Sequence, residues 1–175
     1  DPVDPLCQAA LLGSNKDDSG KVDGMGLATR QIRGFGLGVM NARAAYYAKR
    51  DPRFTSFLTE GRSFGPHGNG LIIANSIEHY DDTLSRELTA RTVHANLEMR
   101  EMGFKPYVAP ALSSGALSLL LCLRGQWHCS SVYLGGVFMG VKNRLQGDVA
   151  VEQLPLPEAL YRRIQNTARE LSQIS

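Results

Sequence analysis

The feature that most constrains this chain is Gly135-Gly136, set between two short apolar runs at residues 127–134 and 137–141. A glycine pair supplies the positive backbone torsions of a two-residue hairpin turn, so the flanking runs read as antiparallel strands. Antiparallel neighbours joined this tightly do not belong to a regular βαβ succession, and no doubly wound nucleotide-binding sheet is visible. The other periodicities are mixed. Residues 82–102 place Leu84, Leu88, Ala95, Met99 and Met102 on one helical face, with Gly103 as a stop, and acidic Asp81 and Asp82 suit the start of that helix. Residues 157–174 place Leu160, Ile164, Ala168 and Leu171 on one stripe. Shorter helices are expected over residues 5–12, closed by Gly13, and over 39–49, ended by Asp51-Pro52. Residues 111–123 are apolar almost all round and predict a buried helix. Strands are expected at 25–32, at 54–64 with a turn inside, at 71–74 and at 148–154. The class is α+β, a mostly antiparallel sheet packed with helices.

At 175 residues and 43% hydrophobic content, one domain spanning residues 1–175 is expected. Nineteen basic and 17 acidic residues are scattered along the chain, which marks no face for nucleic acid or anionic lipid. The longest apolar run, residues 116–123, is far short of the roughly 20 residues of a membrane span. Cys7, Cys122 and Cys129 show no CxxC spacing, and Cys122 sits in an apolar run, which fits a reducing, cytoplasmic setting. Pro2 and Pro5 lead abruptly into an apolar segment, which suggests a piece of something longer.

Three features carry chemistry. Gly34-x-Gly36-x-Gly38 precedes a helix and could approach an anion through backbone N–H groups, but it lacks dinucleotide spacing and reads first as a tight turn. Arg43 stands among Ala42, Ala44 and Ala45, and a guanidinium grips a carboxylate through two parallel hydrogen bonds; a solvated helix arginine is equally compatible with this pattern. His67 lies in Gly65-Pro66-His67-Gly68-Asn69-Gly70, where small or rigid neighbours expose an imidazole that can exchange a proton near neutral pH. His79, His94 and His128 show no metal-ligand spacing and read as structural; no metal is expected.

Taken together, Asp1-Pro2-Val3-Asp4, the stretch Gly34-Phe35-Gly36-Leu37-Gly38-Val39-Met40-Asn41-Ala42-Arg43 and Gly65-Pro66-His67-Gly68-Asn69 resemble, in order and spacing, motifs of the C-terminal, substrate-binding half of the NAD-dependent lactate/malate dehydrogenase family. The resemblance implies that Arg43 holds a substrate carboxylate, that His67 exchanges a proton with the substrate oxygen, and that Asp1 falls near substrate and nicotinamide. It places Lys105 near a position that helps to choose lactate or malate. The family's aspartate partner of the histidine falls on Met40, which can neither orient an imidazole nor stabilise its charge. The nucleotide-binding half is absent from this chain, so NAD belongs to a complete protein. The expected partners are a small 2-hydroxy or 2-keto acid, a nucleotide-binding half in the parent chain or another subunit, and further copies in a homo-oligomer. The competing reading is a degenerate, non-catalytic relative that binds small acids or another protein.

Overall fold

The computed structural model describes residues 3–103 and 109–173. Helix α1 (Val3–Ser14) turns Asp4, Cys7 and Leu11 inward at helical spacing, where Cys7 packs with Ile32 and Phe138. After a 3-10 turn at Thr29–Gln31, α2 (Leu37–Ala48) buries Leu37, Met40, Ala44 and Ala48 along one stripe. A second 3-10 segment, Pro52–Leu58, leads to β1 (Arg62–Phe64), which pairs antiparallel with β2 (Ile72–Ala74). Next come α3 (Asp82–Glu101) and α4 (Ala109–Leu123). The strands β3 (His128–Leu134), β4 (Val137–Gln146) and β5 (Asp148–Val151) form an antiparallel sheet in that order, and α5 (Glu158–Ser172) closes the described chain. The α+β class is as the sequence predicts. Leu134 pairs with Val137 directly across Gly135-Gly136, both of which have positive φ.

Two apolar clusters hold these layers. One joins α2 and the second 3-10 segment to β2 and α3 through Leu37, Met40, Phe54, Phe57, Ile73 and Leu88. The other joins α5 to the strands through Phe64, Ile72, Val132, Met139, Leu160 and Leu171. Each such buried side chain contributes roughly 1.5–3 kcal/mol before the entropy of ordering is set against it. The stripe predicted for α5 faces the second cluster, with Ile164 and Ala168 partly buried beside Leu160 and Leu171.

Three expectations are corrected. Residues 25–32 form no strand, because side chains take the backbone donors that a neighbouring strand would need. Asn15 Oδ1 accepts from Gly26 N, Ser14 Oγ from Leu27 N and Gln31 Oε1 from Ala28 N. Residues 54–64 are strand only at Arg62–Phe64. Asp51 accepts from Arg53 N and Pro52 starts a helical turn, which puts Phe54 and Phe57 on one inward face. Helix α4 is half exposed rather than buried: Cys122 and Ser118 face inward against α2 and β3, while Leu117 is 56% and Leu123 77% exposed. The stripe predicted for α3 also fades toward its end, since Leu88 is buried beside Ser85 and Thr92 but Met102 is exposed. Among the described residues, no helix is long and apolar enough to cross a membrane.

Candidate active site

The glycines of residues 34–38 serve close approach. None of Gly34, Gly36 and Gly38 has a positive φ. A Cβ on Gly34 would stand 2.4 Å from Val3 Cγ1, and one on Gly36 would stand 3.0 Å from the His67 Cβ. These two glycines therefore let α1 and the histidine loop close on the start of α2. A Cβ on Gly38 would meet Ser118 Oγ at 2.0 Å. With that space already filled by the chain's own side chains, the loop offers no cradle for a diphosphate.

The histidine loop is pinned at both ends. Gly65 N donates to Gly140 O on β4 at 2.8 Å, and Thr167 Oγ1 on α5 donates to Gly70 O at 3.0 Å. Positive φ at Gly65, Gly68 and Gly70 shapes the turn between these ties, a conformation that side-chain-bearing residues rarely adopt. His67 is half-buried. Its imidazole pKa is lowered to about 4, first by burial and then by the positive charge of Arg43.

Arg43 lies on α2, partly buried, with Nη1 3.8 Å from Met40 Sδ. Burial lowers its pKa, and the neighbouring Tyr47 opposes the shift; a guanidinium so placed remains charged at neutral pH. Among the described residues, no carboxylate pairs with it. Met40 is 2% exposed and packs in the apolar cluster of α2 and α3. The structure thus brings Arg43 close enough to His67 for its charge to act on the ring. Asp1 and Lys105 lie outside the described residues.

Sequence reasoning singled out Asp4 only as part of a motif. It is 2% exposed, and its carboxyl accepts a hydrogen bond from Ser131 Oγ. Burial raises its pKa to about 6, and the bond from Ser131 opposes the shift. No local signal could have found this, because Ser131 lies 127 residues further along the chain.

The remaining histidines sit as follows. His128 is buried, with Nδ1 3.0 Å from Gln126 O and Nε2 3.1 Å from Ser130 Oγ, and His94 Nδ1 lies 2.8 Å from Ala90 O. His79 stands beside Glu60 and Glu78, with ligand atoms of all three within 4.8 Å of one another, a grouping that spacing along the chain did not suggest. Glu60 there already accepts from Ser76 Oγ. A separate cleft of about 430 Å³ between α2, α4 and the sheet is lined by Asn41, Arg62, Ser118, Trp127 and Lys142, among others, and by neither Arg43 nor His67. Its two cations are paired with Glu152, at 2.6 Å from Arg62 and 2.7 Å from Lys142.

Helices packed on small antiparallel sheets give this chain the fold of a lactate/malate dehydrogenase C-terminal domain. Among solved structures, the chain is similar to the malate dehydrogenase from Aeropyrum pernix, at a TM-score of 0.70 and 18% identity over 99% of this chain and 61% of that one. It is also similar to the malate dehydrogenase from Archaeoglobus fulgidus in complex with NADH, at a TM-score of 0.60 and 16% identity over 85% of this chain and 53% of that one. The chain therefore spans little more than half the length of these proteins. No protein-family model and no curated protein matches the sequence.

Proposed function

We propose that this chain is the substrate-binding and catalytic half of an NAD-dependent oxidoreductase of the lactate/malate type. Its nucleotide-binding half would come from the parent chain or from another subunit. The observation that carries the reading is Arg43, a partly buried guanidinium with no carboxylate paired to it among the described residues, whose charge acts on His67. A small 2-hydroxy or 2-keto acid supplies the missing carboxylate, held by two parallel hydrogen bonds that aim its C2 oxygen at the imidazole. His67, neutral at pH 7, accepts the proton of a hydroxyl. The arriving carboxylate also offsets the Arg43 charge, so binding itself raises the basicity of the ring. NAD, held by the nucleotide-binding half of a complete protein, would supply or accept the hydride. The outward leucines of α4 support a further surface as partner, the nucleotide-binding half or a second copy in a homo-oligomer.

A second reading, a small-acid binding domain without chemistry, is favoured by Met40, an apolar side chain in the core where the resemblance places the histidine's aspartate. Titrating the chain with malate and with pyruvate, while following the His67 ring signals, tests both. Binding that is lost in Arg43→Ala, together with a higher His67 pKa at saturation, supports the oxidoreductase half. Binding without that rise supports the second reading, and no binding in the wild-type chain overturns both. Under either reading the chain alone should show no NADH-dependent turnover of pyruvate or oxaloacetate, because the hydride donor has no site on it.

A further inference from the structure

We propose that the cleft between the 3-10 turn at Thr29–Gln31 and the β4–β5 hairpin binds a phosphoryl group that still carries a proton. Its oxygens are gripped by the guanidinium groups of Arg30 and Arg33, and its O–H is given to Asp148. The cleft holds about 310 Å³ and is lined by neither Arg43 nor His67, so the inference stands apart from the proposed oxidoreductase site.

The walls of the cleft are fixed by the chain's own hydrogen bonds. Gly34 N donates to Ser131 O at 3.3 Å and Ser131 N to Gly34 O at 2.7 Å, which ties the backbone beside Arg33 to β3. Arg30 stands on the 3-10 turn, where Gln31 N donates to Ala28 O at 2.9 Å and Gln31 Oε1 accepts from Ala28 N at 2.8 Å. That second bond uses the carbonyl oxygen of the Gln31 side chain and leaves its NH2 as a further donor. On the opposite wall Leu145 pairs with Val149, and Gln146 with Asp148, around the turn at Gly147.

Charge does not balance within this cleft. Among the described residues neither Arg30 nor Arg33 meets a carboxylate at ion-pair distance, and Nη2 of the half-buried Arg33 is shut off from water without an acceptor. A donor of a charged group buried and left unmet is costly, so the Arg33 guanidinium gains by turning to an oxygen delivered into the cleft that it lines. The acid that lines the cleft, Asp148, accepts from Val149 N at 2.7 Å through Oδ1, which leaves Oδ2 without a donor. Two guanidinium groups against one carboxylate leave a positive charge over. This set of donors with a single acceptor discriminates among oxyanions. Guanidinium forks take carboxylate, sulfate and phosphate alike. A carboxylate or a sulfate, ionised at neutral pH, has no proton to give Asp148 and meets it as a like charge. A phosphate monoester loses its second proton only at about pH 6, so near neutrality a protonated form is at hand that donates to Asp148 while its other oxygens take the two forks. Leu145 and Val149 add apolar wall beside the charged groups, which suits the carbon part of a small monoester.

The test is a titration of the isotope-labelled chain at about pH 6.5 with inorganic phosphate, phenyl phosphate and sulfate at constant ionic strength. The signals followed are the Nε–H groups of Arg30 and Arg33 and the Gly147 amide. Phosphate should move them along one saturating curve, and sulfate should need about tenfold more. Phenyl phosphate binding more tightly than inorganic phosphate assigns the site to a monoester, and equal binding assigns it to the free ion. Arg30→Gln, on an exposed residue, should weaken phosphate about tenfold. Asp148→Asn removes the like charge and should bring sulfate level with phosphate. The proposal is overturned if phosphate moves these signals without saturating, if sulfate matches phosphate in the wild-type chain, or if Arg30→Gln leaves the phosphate midpoint where it was. Phosphate that moves the Nε–H of Arg43 and leaves those of Arg30 and Arg33 still also overturns it, and does so without touching the proposed function.

Discussion

Arg43 Nη1 lies 3.8 Å from the sulfur of Met40, one helical turn earlier on α2. The residue at the place of the family's aspartate is thus a neighbour of the arginine that the resemblance assigns to substrate. Met40→Asp would put a negative charge beside Arg43 and, where the resemblance places it, beside His67. The added charge favours the imidazolium, and pairing with Arg43 removes part of the charge that opposes it; both raise the His67 pKa from about 4. The same substitution buries a carboxylate in an apolar cluster and should destabilise the fold by about 1–3 kcal/mol. Ring signals of His67 through a pH series, with His79, His94 and His128 as unmoved controls, measure the first effect, and urea unfolding measures the second. An unchanged His67 would mean that Met40 and His67 do not share a site.

Arg43→Gln isolates the arginine's own influence. Burial is the larger cause of the depressed His67 pKa and remains in the variant, while the Arg43 charge is gone. The imidazole should therefore titrate above about 4 and still below its ordinary value of 6.5. In the same variant, malate should no longer raise the thermal midpoint. A His67 curve that overlays the wild type would show that the two groups are electrostatically separate.

Gly140 should not tolerate even one methyl group. A Cβ there would stand 2.3 Å from Gly65 O and 2.9 Å from Leu37 Cδ2, and the first of these is backbone that cannot rotate away. Gly140→Ala should cost about 1–3 kcal/mol by denaturant unfolding, with faster hydrogen exchange at Gly65, whose own peptide is pushed away and whose N–H bonds to the Gly140 carbonyl. Protection at Gly65 equal to wild type would contradict this.

Asp4 and His67 pull the stability of the fold in opposite directions with pH. The folded pKa of Asp4 is raised from 3.8 to about 6, so its contribution is full below 3.8 and is lost as pH rises toward 6. The folded pKa of His67 is lowered from 6.5 to about 4, so its contribution is full above 6.5 and is lost as pH falls toward 4. Between about pH 4 and 6 the two slopes oppose each other. Removing His67 with His67→Gln should make stability decline more with rising pH than in wild type across this window. Removing Asp4 with Asp4→Asn should make it climb. Difference curves of unfolding free energy against wild type read each sign directly, since the other carboxylates are common to both proteins.

Local chemistry sufficed for the elements whose signals lie within a few residues. The β3–β4 hairpin follows from Gly135-Gly136 because both positions need positive φ, and α5 follows from apolar positions that recur at the helical period. The motifs around Arg43 and His67 were equally legible, since each is a short run at a fixed separation. Local chemistry misled where side chains competed for the backbone. Asn15, Ser14 and Gln31 took the donors of residues 26–28, and Asp51 turned an expected strand into a 3-10 helix. It also could not say which face of α4 has a neighbour, because an all-apolar run carries no period to read.

The sequence by itself determined the α+β class and the antiparallel hairpin. Only the tertiary structure decided that Met40 packs in the core and that His67 ionises far below neutral pH. It alone brought the Asp4 carboxylate to Ser131. Burial and through-space charge depend on which distant segments meet, and Ser131, the donor to Asp4, becomes its neighbour only when the sheet and α1 close on one another.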